Sequence, residues 1–219
     1  MLLGSRYVYG FVGPKGGGKS YNLDKSRELS KKVFGEQVEF LSVDFSDPIR
    51  KFILEIFGIN ERWCDLNSAD YSIWKENLLP DVSFPTENEC TGRTLSHLTG
   101  RDLLMNVGEV MKRYSSPNVW CGKAYRDLFM HWHKLSEEKQ KTAIVVFGSV
   151  RFKSEFNCLL DFAHLTKRKV RLIYFDYNPS IAERFMSNIH PSEAFAYSLR
   201  GRGYKHCQVV DEKDYCLLP

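Results

Sequence analysis

Residues Gly13 to Ser20 read GPKGGGKS and fit the pattern G-x-x-x-x-G-K-[ST] at every position. Glycines at this spacing let successive backbone N–H groups turn inward around a phosphate, and a helix beginning at the loop's end adds its N-terminal partial positive charge. In such a loop the lysine reaches the β- and γ-phosphates of a nucleoside triphosphate, and the hydroxyl that follows holds Mg²⁺. Gly13, Lys15, Gly16, Gly17, Gly18, Lys19 and Ser20 are therefore the expected ATP site, with Lys19 as its catalytic cation and Ser20 as its metal ligand. A glycine-rich surface turn would show the same composition, but not the same flanks. The apolar run Tyr7–Val12 precedes the loop as a buried strand, and helical periodicity begins at Tyr21.

The remaining elements follow from hydrophobic period and punctuation. The first helix carries Leu23 and Leu29 inward and stops at Gly35. A strand at Val38–Val43 leads to Asp44, then to a helix capped by Asp47 with Pro48 in its first position. Ile49, Phe52, Ile53, Ile56 and Phe57 give that helix one apolar stripe. From about 59 to 97 the chain is polar, aromatic and turn-rich, as in an insertion over a sheet edge. A helix then starts after Thr99, with Asp102 as its capping-box partner, and another is expected from Trp120 to about Lys139. His131 and His133 on that helix lack the spacing of four that a helical metal site requires.

Thr142–Gly148 is the most β-like segment, and it delivers Ser149-Val150-Arg151. A helix through Phe156, Leu159 and Leu160, a strand at Val170–Phe175 and a last strand at Cys207–Val210 complete the pattern. Strands alternating with helices predict an α/β fold around a parallel sheet, whose ligands bind beyond the strands' C-terminal ends. Arg200-Gly201-Arg202-Gly203 reads either as a cationic lid over a triphosphate or as a solvated basic loop.

The chain has 219 residues, 43% hydrophobic and 26% charged, the composition of one ordinary globular domain. A net charge of +4 suits phosphate handling but falls short of what duplex binding would want. No apolar run reaches membrane length and the N-terminus shows no signal-peptide pattern. Six cysteines are scattered without a C-x-x-C pair, so free thiols and a cytoplasmic setting are expected.

In collinear order, these segments resemble the deoxynucleoside monophosphate kinase family best known from tailed bacteriophages. Besides the phosphate loop, Phe45-Ser46-Asp47-Pro48-Ile49-Arg50 resembles the family's F-A-D-P-[LI]-K, and Phe57-Gly58 the end of its L-F-G. Gly100 to Gly108 with Trp120 downstream resembles R-x-L-[LM]-Q-x-x-G followed by a tryptophan. Ser149 to Glu155 resembles D-[VT]-R-F-x-x-E, and His190-Pro191-Ser192-Glu193 resembles H-x-S-E. There are departures. Ser149 stands where the family has Asp, so a metal-water role passes to Asp44 or Asp47, and Arg50 replaces a lysine. The C-terminal helix of relatives is expected to be reduced or absent.

The resemblance implies a P-loop kinase-like three-layer fold with a central parallel sheet of about five strands, an inserted acceptor-binding region and a short lid. Core 1–58 and 142–219, insertion at about 59–141 and lid at about 178–204 would form a single domain. The implied reaction is ATP + dNMP giving ADP + dNDP, with Mg²⁺ as cofactor. Arg151 would grip the acceptor phosphate as a second catalytic cation, and Arg101 and Arg50 are further candidates. Asp44, Lys75 and Glu155 fall on the acceptor side, where Trp74 or Trp120 could stack the base, a buried core position being the favoured reading of Trp120. Arg184 or Arg202 would be the lid cation on the ATP. No nucleic acid or membrane partner is implied, a homodimer is left open, and a phage protein would work in its host's cytoplasm. Two other readings share the loop: a P-loop kinase of nucleosides or dephospho-coenzyme A, and a nucleotide-binding ATPase or switch. Against the latter, the chain has no N-K-x-D base-reading motif and no acidic pair ending a strand in the way many ATPases carry one, and no concentrated basic face is expected.

Overall fold

The computed structural model describes residues 3–13, 17–57, 99–175 and 207–209. In chain order these form β1 (Tyr7–Val12), α1 (Lys19–Phe34), β2 (Phe40–Val43), α2 (Asp47–Phe57), α3 (Gly100–Tyr114) and α4 (Val119–Lys134). There follow α5 (Glu137–Thr142), β3 (Ile144–Phe147), α6 (Lys153–Leu165), β4 (Lys169–Tyr174) and the three-residue β5 (Cys207–Val209). The protein is α/β. Four strands lie in the order β2-β3-β1-β4, with β5 added beyond β4, and every pairing is parallel.

The chain divides into two compact units, 1–45 with 121–219, and 46–120. The second unit begins earlier and ends earlier than the insertion expected at about 59–141. Its start is earlier because α2 and α3 are partners within it. Its end is earlier because α4 from Cys121 onward contributes Ala124, Leu128 and Trp132 to the core of the first.

In the first unit, alternation along β1 sends Val8 and Val12 into one core, with Leu128 of α4 and Leu159 and Phe162 of α6. Tyr9 and Phe11 enter the other, with Ile144, Val146 and Ile173, against which Leu23 of α1 packs. A strand buried on both faces is the expected environment of a parallel sheet's centre. Gly10 is needed for the first packing: a Cβ there would lie 2.6 Å from Leu159 Cδ1 and 2.7 Å from Leu172 Cδ2. Helix α1 buries Ser26 and Ser30 as well as turning Leu23 inward, and Ser26 satisfies itself by donating to Asn22 O at 2.6 Å.

The single helix expected from Trp120 to Lys139 is two. It breaks because Ser136 leaves the helical conformation and accepts the N–H of Lys139 as the N-cap of α5. Trp132 is buried while His131 and His133 are exposed, and among the described residues no three His, Cys, Asp or Glu converge as a metal site. Cys121 and Cys158 carry free thiols. No helix among the described residues is long and apolar enough to cross a membrane.

In the second unit, Thr99 and Asp102 form the expected capping box: the Thr99 hydroxyl accepts Asp102 N–H, and Asp102 accepts Thr99 N–H at 3.0 Å. The Thr99 hydroxyl also donates to Asp102 Oδ2 at 2.7 Å, and that bond, followed by the one from Thr99 N–H, holds the Asp102 carboxyl below its usual range.

Candidate functional site

The loop that carries the GPKGGGKS pattern leaves β1 at Gly13 and re-enters regular structure at Lys19. Gly13 has φ +140°, in the region that favours glycine, and a Cβ there would lie 2.3 Å from the carbonyl oxygen of Phe175. Phe175 in turn donates its N–H to Val12 O at 2.8 Å, so the chain leaving β4 is bound against the loop's first residue. Gly18 is left-handed at φ +82° and caps α1, its carbonyl accepting Asn22 N–H at 2.9 Å. No acidic side chain lies in the first turn of α1, leaving its N-terminal partial charge unneutralised there. Lys19 is 7% exposed and its ammonium donates to Gly13 O at 2.7 Å. Ser20 beside it is exposed. Lys15 and Gly16 lie outside the described residues.

Gly13→Ala is expected to lower the free energy of unfolding by about 1–3 kcal/mol, from left-handed strain together with the clash on Phe175. Urea unfolding checks this, and an unchanged midpoint would contradict the packing.

Strand order identifies the neighbour of this loop. β1 connects through α1 toward β2 on one side of the sheet, whereas β3 connects through α6 to β4 on the other side of β1. The adjacent strands β1 and β3 thus send their connections in opposite directions, the arrangement that opens a ligand crevice beyond the strand ends. Their register pairs Val8 with Val145 and Gly10 with Phe147. Past the end of β3, Val150 N–H donates to Phe11 O at 2.9 Å. Arg151 is one residue beyond that bond on one strand end, and Gly13 two residues beyond it on the other.

Arg151 is exposed, and its Nε donates to Ser149 Oγ at 2.8 Å. Its two terminal nitrogens make no hydrogen bond among the described residues. They form the fork that can take two oxygens of one phosphate. Ser149, buried where the family motif has a carboxylate, therefore orients the arginine without neutralising it. The backbone is held too. Glu155 Oε2 accepts Arg151 N–H at 2.5 Å and Phe152 N–H at 3.1 Å. Glu155 is 6% exposed, so among the acceptor-side residues read from the sequence it serves as a positioning residue for Arg151. The spacing of Phe152 to Glu155, a glutamate at the third residue of a helix, is the signal for that role.

Burial pushes the Glu155 carboxyl up to about 8, against the pull of the Arg151 N–H. The folded value lies above the ordinary 4.5, so between 4.5 and about 8 the unfolded chain has released a proton that the native chain keeps. Stability accordingly falls as pH rises through that window. Glu155→Gln keeps an acceptor oxygen and is expected to flatten the fall, as read from thermal midpoints across the window. An unaltered slope would exclude Glu155 as its source.

The first unit thus brings together Gly13, Gly17, Gly18, Lys19, Ser20, Asp44, Ser149, Arg151 and Glu155 at its strand ends or just after them. Asp44, half-buried, follows β2 directly. Arg50, Arg101 and Trp120 belong to the second unit. Arg50 is buried and its guanidinium is engaged one turn back on its own chain, with Asp47 and with Ser46 Oγ at 2.6 Å. Trp120 is 7% exposed, donates its indole N–H to Gly108 O at 3.1 Å and meets Phe52 edge-on. Those are core contacts, which remove Trp120 as a base-stacking surface. Arg101 is half-buried in the first turn of α3. Trp74, Lys75, Arg184 and Arg202 lie outside the described residues, as do the segment 59–97 and the expected lid. Neither the protein-family models nor the curated proteins yield a match to this chain.

Proposed function

We propose that the chain is a deoxynucleoside monophosphate kinase, moving the γ-phosphoryl group of ATP onto the phosphate of a dNMP. The observation that carries this reading is the pairing of two cations on adjacent, diverging strand ends: Lys19 within the β1 loop and the forked Arg151 after β3. One suits the phosphates of a donor and the other the phosphate of an acceptor.

A nucleoside monophosphate is largely a dianion at neutral pH, its second pKa being about 6. Its oxygen attacks the γ-phosphorus directly, and the bond from that phosphorus to the β-bridging oxygen breaks to leave ADP. No general base is required. The work left to the protein is alignment and charge neutralisation. Lys19 spreads along the donor's phosphates, the α1 N-terminus and the glycine N–H groups surround them, and Arg151 holds the acceptor. The exposed Ser20 hydroxyl would be the protein's ligand to Mg²⁺, which when bound would neutralise part of the transferring charge.

ADP formation at fixed ATP against a panel of dNMPs, NMPs, nucleosides and dephospho-coenzyme A tests the reading. Turnover with at least one dNMP is expected. Turnover only with a nucleoside or dephospho-coenzyme A would replace it with the neighbouring kinase reading.

A further inference from the structure

At the opposite end of the sheet from the phosphate loop, where β1 and β4 begin, an open cavity of ≈ 730 Å³ lies within the first unit. Its lining includes Arg6, Lys141, Lys167, Arg168 and Lys169, against Glu137 as the only carboxylate. The side chains of Arg6, Lys141, Lys167 and Lys169 make no ion pair among the described residues, and all four are exposed.

Arg168 is the anchor of this face. It is half-buried, stacked with its guanidinium carbon 4.9 Å from the centre of the Trp132 ring, and donates to Ala143 O at 2.7 Å and to Gln140 O. Its partners are neutral carbonyls, and no carboxylate offsets its charge among the described residues. Desolvation accordingly lowers its pKa. A partly buried cation without a counter-ion is an electrostatic cost that a bound anion would relieve. Backbone geometry adds to the concentration of charge. Lys167 is the one non-glycine described residue with a left-handed φ, +54°, in the tight turn between α6 and β4 that sets three cations in succession.

We propose that this basin is a second anion site, taking a ligand with clustered phosphates. Several cations around one concavity suit a chain of phosphates better than a single carboxylate, and the volume falls within the usual range of about 300–1,000 Å³ for small-ligand sites. Inorganic polyphosphate and a nucleoside triphosphate present the same chemistry. The site lies apart from Lys19 and Arg151 and does not depend on the kinase reading.

Isothermal titration of sodium tripolyphosphate, and separately of dATP, into the full-length Lys19→Ala chain tests this with the phosphate loop weakened. One-to-one binding of tripolyphosphate is expected. Adding Lys141→Glu and Lys169→Glu together should weaken it by about tenfold or more, because attraction becomes repulsion at two positions. Arg6→Gln with Lys141→Gln, a milder pair at exposed positions, should weaken it in the same direction, with circular dichroism confirming the fold of each variant. Equal affinity for both probes identifies the phosphate chain as the recognised group, and tighter dATP binding identifies a nucleotide. Failure of tripolyphosphate to bind the Lys19→Ala chain, or affinity unmoved by both sets of substitutions, would overturn the proposal.

Discussion

Lys19→Ala is expected to reduce kcat by about 10²-fold or more while leaving the fold in place. The ammonium it removes is nearly buried and donates to the carbonyl oxygen of Gly13, and it packs into neither core cluster of the sheet. Truncation therefore deletes positive charge from the loop and little hydrophobic contact. In a site where charge spreads over the transferring phosphoryl group, such a deletion acts on the transition state more than on the ground state. Steady-state kinetics with a thermal melt separate the two effects. Near-normal turnover by a folded variant would sink the phosphate-loop assignment. A collapsed melt would instead make Lys19 a structural residue.

The second large effect is expected at Arg151. Arg151→Lys should cost about 2–4 kcal/mol of transition-state stabilisation, part of it as a raised KM for the dNMP, with ATP binding nearly unchanged. The geometry gives the reason. With Nε committed to Ser149 and the backbone N–H committed to Glu155, the guanidinium is steered from two sides while its terminal nitrogens stay available. A lysine presents one ammonium, which can bond Ser149 or a phosphate oxygen but cannot span two oxygens from a fixed plane. Should dNMP kinetics survive and the melting temperature fall, Arg151 is a structural residue and the acceptor grip must be sought around Arg101.

Much of this arrangement was legible in the residues, and the places where it was not have physical causes. β1 was read to its limits because six apolar residues run uninterrupted from Arg6 to the loop's first glycine. The capping box at Thr99 was legible for the same reason: a local hydrogen-bond pair needs only its own spacing. Ser136 was missed because a serine followed by two glutamates looks alike on a solvated helix face and at a helix start. The burial of Ser26 was illegible, since a serine that bonds back to its own helix hides its polarity from any hydrophobic pattern, and Ser30 is buried with no hydrogen-bond partner for its hydroxyl among the described residues.

Site residues divide along the same line. The loop between β1 and α1 is local, so its place in the fold could be read from its own spacing. Arg50 was counted as an acceptor-side cation although Ser46 and Asp47, four and three residues before it, are at helix-neighbour spacing and occupy it. Trp120 needed tertiary information, because only packing against Phe52 and Gly108 distinguishes a core indole from a stacking platform. The coupling of Arg151 to Ser149 and Glu155 is short-range, but its meaning depends on β3 lying next to β1, which strand order alone reveals.

The most direct test of the central claim follows the γ-phosphoryl group itself. ATP labelled at the γ-phosphate, incubated with the chain, Mg²⁺ and each dNMP in turn, is expected to yield labelled dNDP in step with ADP and little free phosphate. Label released as inorganic phosphate at the same rate with or without a dNMP would contradict the kinase reading and leave a nucleotide hydrolase in its place.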